Sequence, residues 1–255
     1  MYKPKIVVSA CLKGERVRYD GELIRDKFVS RLIELCDVIS VCPEVSIGLS
    51  VPRAKIIVYI KNGEYRISQP ETGKELTEKI LKFSEDFLNN LPEIDGFVLK
   101  SKSPSCGVSQ TKVFKDPEGK KFYKRGKGLF AIKAIERFSL LPIEDELRLR
   151  DEKIRMHFLI RLLTARNLRI LREKARDIKD IIEFHKNYSS LLNAYSKKTF
   201  KLLEKKLKNY KGEKLQDILN EYYISFLKAL KRKKEININL LPKDYKEFFK
   251  NFEII

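Results

Sequence analysis

Lys5-Ile6-Val7-Val8-Ser9-Ala10-Cys11 is a β-branched run that ends on a thiol, and the chain uses the same device twice more. Val38-Ile39-Ser40-Val41 runs into Cys42, and Gly96-Phe97-Val98-Leu99-Lys100 leads through Ser101-Lys102-Ser103-Pro104-Ser105 to Cys106. Short apolar runs of this kind read as buried strands, and the amphipathic stretches beside them read as crossover helices. Strands are expected over 5–10, 38–41 and 96–100, with a helix over 24–36. This βαβ rhythm predicts a Rossmann-like α/β domain with a parallel sheet. Ligands of such sheets bind beyond the carboxyl ends of the strands, which is where all three thiols fall. Cys36 is different: it ends Leu32-Ile33-Glu34-Leu35-Cys36, the apolar face of a helix, and reads as a small core hydrophobe.

Residues 55–60 and Tyr65-Arg66-Ile67 flank Asn62-Gly63, a pair that tolerates positive φ and predicts a tight hairpin. Thr72 with Glu75 three residues on has capping-box spacing, which predicts a helix opening at Thr72 and burying Leu76, Ile80, Leu81, Phe83 and Phe87. Beyond Leu141-Pro142 the periodicity becomes helical. An α/β domain over 1–142 and an all-α domain over 143–255 follow, with helices near 151–176, 178–210 and 213–234.

A chain of 255 residues with 43% hydrophobic content supports two cored domains. No run approaches the ~18 apolar residues of a membrane span. Four cysteines and an opening that is strand-like rather than a secretory leader point to a reducing, cytoplasmic setting. The net charge is +19, and it is uneven: 28 Lys and Arg face 21 Asp and Glu in residues 1–150, against 26 and 14 in residues 151–255. Such a field attracts polyanions, nucleic acid above all, although heavy lysine usage also marks adaptation to heat. Lys231-Arg232-Lys233-Lys234 reads as a solvated helix end or as a phosphate contact. No motif demands an obligate protein partner, and the oligomeric state is left open.

Three chemistries compete for the thiols. A closed zinc site takes four Cys or His ligands at short local spacing; this chain has no CxxC, and both His157 and His185 lie in the helical half. A Cys–His nucleophile pair fails for the same reason. A [4Fe–4S] cluster on three thiolates fits better, because it leaves one iron free for substrate. Three unconnected buried thiols remain the plain alternative.

The blocks around the thiols resemble a known family. Ser9-x-Cys11-Leu12-x-Gly14 with Arg18-Tyr19-Asp20-Gly21, Cys42-Pro43-Glu44 with Gly48-Leu49 and Pro52-Arg53, and Lys100-Ser101-x-Ser103-Pro104-Ser105-Cys106-Gly107 are similar to the three signature blocks of TudS-like thiouracil desulfidases. The second half resembles the YbgA-type helical domain of RudS-like proteins, through Gly128-Leu129-Phe130-Ala131, Glu144-x-Glu146-x-Arg148-Leu149-x-Asp151, Arg155-x-x-Phe158 and Phe184-His185-x-x-Tyr188. The resemblance implies non-redox desulfidation, in which a thiocarbonyl sulfur binds the open iron of a [4Fe–4S] cluster on Cys11, Cys42 and Cys106 and water attacks the ring carbon. It further implies Glu44 as the base for that water and Ser103 as its partner in proton transfer. The structural alternatives are a strand-end cap for Glu44 and an ST-turn for Ser103. Ser9, Arg18, Arg53, Lys100 and Lys102 could orient the base or a phosphate, and Tyr19 could stack on a pyrimidine. His185 is a candidate for RNA contact.

By this resemblance the substrate is 4-thiouridine in tRNA or free thiouracil. Two rivals stand beside it. An iron–sulfur sulfur transferase acting on RNA would run the chemistry in reverse, but the chain lacks a GxxxxGK(S/T) loop for activating a carbonyl. A non-enzymatic iron–sulfur RNA-binding module would need the charge and the fold, and would not need Glu44.

Overall fold

The computed structural model describes residues 2–252. The chain divides into two compact units, one made of Lys5–Ser139 with Ile143–Arg150, the other of residues 151–252 with the short segments 2–4 and 140–142.

The first unit opens with β1 (Lys5–Ser9), α1 (Lys27–Glu34) and β2 (Asp37–Val41), as the apolar runs require. Asp26 caps α1 by accepting the Val29 N–H. A short helix α2 (Pro43–Ser46) leaves β2 directly, with Pro43 in its first turn. The hairpin of β3 (Ile57–Lys61) and β4 (Glu64–Gln69) turns on Asn62 at φ 53° and Gly63 at φ 81°, the positive values that this dipeptide supplies at little cost. There follow β5 (Lys74–Glu75), α3 (Thr77–Asn89), β6 (Gly96–Leu99), β7 (Thr111–Phe114), β8 (Phe122–Gly126), α4 (Leu129–Arg137) and β9 (Ile143–Asp145).

Strands β2-β1-β6-β9 form an all-parallel sheet in that order. Its middle is apolar on both faces: Ile6, Val7, Val8, Phe97, Val98 and Leu99 are fully buried. The sequence pattern predicts this sheet but not a second one. Strands β5-β4-β3-β7-β8 form a mixed sheet, in which β3 pairs antiparallel with β4 and parallel with β7. Val58, Ile67 and Val113 of that sheet bury against Leu76, Ile80 and Leu129.

Three expectations need correction. The helix after the hairpin opens at Thr77, not Thr72, because Lys74 and Glu75 are taken up by pairing with β4. Thr72 ends a 3₁₀ turn with its hydroxyl on Gln69 Oε1, and Glu75 accepts the Thr77 N–H instead. The domain boundary expected at 142/143 also shifts. Ile143, Glu144 and Asp145 pair in parallel with Phe97, Val98 and Leu99, so residues 143–150 belong to the α/β unit.

The second unit is helical: α5 (Glu152–Lys174), α6 (Ile178–Tyr195), α7 (Lys197–Lys208), α8 (Leu215–Ala229) and α9 (Lys243–Lys250). The single helix expected over 178–210 is two, since Ser196 takes an extended backbone and caps α7 through the Thr199 N–H. Several of its buried polar groups pair with one another. Arg166 and Asn167 bind Asp244, Asn167 binds Tyr188, and Thr164 meets Tyr245. His157 Nδ1 lies 3.1 Å from Tyr195 OH, and His185 Nδ1 lies 3.0 Å from Tyr222 OH. The His185 ring also stacks on Phe200, which makes it a packed core group rather than a surface reader of RNA.

Candidate active site

The sheet register decides where the thiols go. β1 lies between β2 and β6, all three run in the same direction, and Ser9 pairs with Val41 while Val8 pairs with Val98. The residues just beyond these pairs therefore emerge on one edge. Cys11 sits in a 3₁₀ turn, Ala10–Leu12, that begins immediately after β1. Cys42 is the N-cap residue of α2. Cys106 lies within the loop that joins β6 to β7.

One cavity of about 530 Å³ collects all three thiols together with Glu44 and Arg53. Ser9, Arg18, Tyr19, Lys100, Lys102 and Ser103 also line it, so the residues expected from the three cysteine blocks reach this cavity, while His185 does not. Cys36 is buried elsewhere and does not line it. All four cysteines are free thiols. Burial, with the Cys42 sulfur nearby, pushes the Cys11 thiol up to about 12. Burial raises Cys42 as well and pushes Cys106 far above its ordinary value.

The Cys106 loop is held from several sides. Ser103 Oγ accepts the N–H groups of Ser105 and Cys106, at 3.2 and 3.0 Å, in an ST-turn. The Leu129 and Ala131 N–H groups at the start of α4 donate to the carbonyls of Pro104 and Ser105. The chains pass so closely here that a Cβ on Gly128 would lie 2.4 Å from the Ser105 carbonyl carbon. Ser9 Oγ accepts the Lys100 N–H at 2.9 Å, which ties the end of β1 to the start of the Cys106 loop.

Glu44 is clamped. Arg53 donates to Glu44 Oε2 from Nη2 at 2.6 Å and from Nε at 3.1 Å, with the two side chains 3% and 13% exposed. The partner of Glu44 Oε1 is Ser105 Oγ at 3.2 Å, not Ser103. Arg18 pairs with Asp20 at 2.7 Å, while Lys55 Nζ stands 5.1 Å from the centre of the Tyr19 ring.

Glu146, which sequence reading assigns to the helical domain, holds the candidate site from behind. Its carboxylate is buried and accepts from Lys100 Nζ at 2.5 Å, Ser101 Oγ at 2.5 Å and Ser101 N–H at 2.8 Å. It thereby pins the start of the Cys106 loop. Gly128-Leu129-Phe130-Ala131 and Glu144-x-Glu146, matched by resemblance to a helical domain, do their structural work in the α/β unit.

The chain matches the sequence model of the 2-thiouracil desulfurases over residues 6–146, more than half its length. It belongs to the 2-thiouracil desulfurase family. The match ends on Glu146, the residue that anchors Lys100 and Ser101. Among relatives of this chain, the uncharacterized protein YbbK of Bacillus subtilis (strain 168) is 33% identical over 110 residues, covering 40% of this chain and 72% of YbbK. A solved structure described as a [4Fe-4S]-dependent thiouracil desulfidase, TudS, is 27% identical with a TM-score of 0.46, and the likeness covers 58% of this chain and 95% of that one. Among the described residues, no helix is long and apolar enough to cross a membrane.

Proposed function

We propose that this protein removes sulfur from a thiolated pyrimidine hydrolytically, at a [4Fe–4S] cluster held by Cys11, Cys42 and Cys106. The observation that carries this reading is three free thiols from three separate loops on one cavity that also holds the clamped Glu44. The donor set fits. It is all sulfur, no histidine lines the cavity, and among the described residues no three His, Cys, Asp or Glu side chains gather closely enough for a single metal ion. Thiolates are the ligands that iron–sulfur clusters take. Bound by three thiolates, it supplies one open iron, a Lewis acid toward a thiocarbonyl sulfur.

The reaction balances without electrons: a thiocarbonyl and water give a carbonyl and hydrogen sulfide. Glu44 takes the proton of the attacking water through Oε1, whose partner is a neutral hydroxyl, while Arg53 fixes the carboxylate by its other oxygen. Ser103 accepts two N–H bonds, which leaves its own proton for transfer into the cavity. Tyr19 offers a ring face to the pyrimidine, and Lys100, Lys102 and Arg18 supply cations for its oxygens or a phosphate. Ser9 lines the same cavity and holds the Lys100 N–H, which places it beside the bound pyrimidine.

Free thiouracil and 4-thiouridine in tRNA are the substrates this reading admits. The excess of basic residues in the helical half supports help in presenting RNA, and the free thiols suit a reducing, cytoplasmic setting. The test is loss of thiocarbonyl absorbance by reconstituted protein under anaerobic single-turnover conditions, with sulfide counted in parallel. Glu44→Gln should load iron normally and slow turnover by about 10²–10⁴-fold. Cluster-loaded protein that desulfidates neither substrate would favour the sulfur transferase or the binding module.

A further inference from the structure

We propose that the β7–β8 hairpin is a docking surface for single-stranded RNA, which it feeds toward the cavity; this rests on the desulfidation reading above. β8 is an edge strand, paired only with β7 in its sheet. Phe122, Tyr123, Lys124 and Arg125 along it are all exposed, and the two rings keep 53% and 45% of their surface open. Cations surround them. Lys124 and Lys115 stand 5.2 and 5.5 Å from the centre of the Tyr123 ring, and the Arg125 guanidinium stands 5.8 Å from that of Phe122.

Between Thr111 and Lys127 the chain carries seven Lys or Arg against Asp116 and Glu118. Asp116 is occupied in the turn by the N–H groups of Lys120 and Lys121. The two strands themselves contain no acid. The surface is continuous with the site, since Lys112, Phe114 and Arg125 line the cavity.

Lysines on an edge strand guard against strand-to-strand aggregation, and that alone would explain the charge. It does not explain two half-open aromatic rings, the feature an edge strand would be expected to avoid: Tyr123 lies on one face of the strand and Phe122 on the other, where it meets Phe114 edge-on. Rings that accept stacked bases, set among cations that track phosphates, are the chemistry of single-stranded nucleic-acid platforms. A free base needs neither, so the hairpin selects a polynucleotide bearing the thiolated base.

The test is fluorescence anisotropy of the full chain with a labelled oligouridine containing one 4-thiouridine, across a salt series. Tyr123→Ala should weaken binding roughly 5- to 100-fold, the range for one lost base stack, and Tyr123→Phe should restore it. Lys124→Gln should lower the slope of log K against log salt by about 0.7. Both variants should keep wild-type thiouracil turnover and unfolding temperature, because neither residue lines the cavity. Wild-type affinity and salt slope in both variants would overturn the proposal while leaving desulfidation standing. So would polyglutamate binding as tight as the oligouridine, which would mark an acidic-protein surface. Tyr123-dependent RNA binding by a protein that never desulfidates would sink the enzymatic reading and leave the surface.

Discussion

Arg53 delivers two hydrogen bonds to one oxygen of Glu44 and leaves the other oxygen to Ser105. The guanidinium is almost wholly buried, so the pair cannot be separated cheaply. Arg53→Met should cost roughly 3 kcal/mol of stability by stranding a carboxylate in the wall of the cavity. In Arg53→Met/Glu44→Gln the losses should be far less than additive. Urea unfolding of the two single variants and the double variant measures the coupling; simple additivity would show that the clamp is not energetically real.

The three cavity thiols and Cys36 make an internal control. Anaerobic reconstitution of Cys36→Ala should give the iron and sulfide content of the parent, because Cys36 is buried away from the cavity. Cys11→Ala, Cys42→Ala and Cys106→Ala should each lose the broad visible absorption. Full iron content in any one of the three would remove that residue from the ligand set.

Glu146 should matter to the site although it does not line the cavity. Glu146→Ala removes the charged acceptor of Lys100 Nζ, which keeps the Ser101 carbonyl and hydroxyl, and leaves the Ser101 N–H without its acceptor, so stability should fall by about 3 kcal/mol and the Cys106 loop should loosen. Glu146→Gln keeps an acceptor and should recover most of the stability while raising KM, since Lys100 is no longer held by charge. Identical KM in Glu146→Gln and the parent would mean that Lys100 does not meet substrate.

The buried histidines predict an acid-sensitive helical unit. Burial, aided by Arg161, pushes His157 down to about 4, and burial lowers His185 as well. Above the ordinary histidine pKa both rings are neutral in either state, and their contribution is fully present. As pH falls from about 6.5 toward 4, the unfolded chain takes up protons that the fold refuses. Stability therefore drops across that window, by about 1.4 kcal/mol per pH unit for each histidine charged only in the unfolded chain. His157→Gln should flatten the pH dependence of urea unfolding there. An unchanged slope would show that His157 is not the group responsible.

The parallel sheet was legible because Lys5–Ser9, Asp37–Val41 and Gly96–Leu99 form unbroken, largely apolar runs, and the middle strands are buried on both faces. The outer strand β8 was not, since Phe122 to Arg125 face solvent and carry no burial pattern. The Ser196 break was missed because the flanking helices keep similar apolar spacing on either side of it. Around the cavity, cysteines and loop motifs could be read locally. Glu146 could not, because its role arises from β9 pairing beside β6, a contact across 46 residues that no local spacing encodes.

Because β1 is hydrogen-bonded to β2 on one side and β6 on the other, the sulfur positions are fixed by two ladders of backbone pairs. A slip of one residue in either ladder moves a thiol by about 3.3 Å along the strand and turns its strand's side chains to the opposite face. On the proposed reading, cluster loading would therefore proofread the sheet: a chain folded out of register would present two sulfurs instead of three and be left without iron.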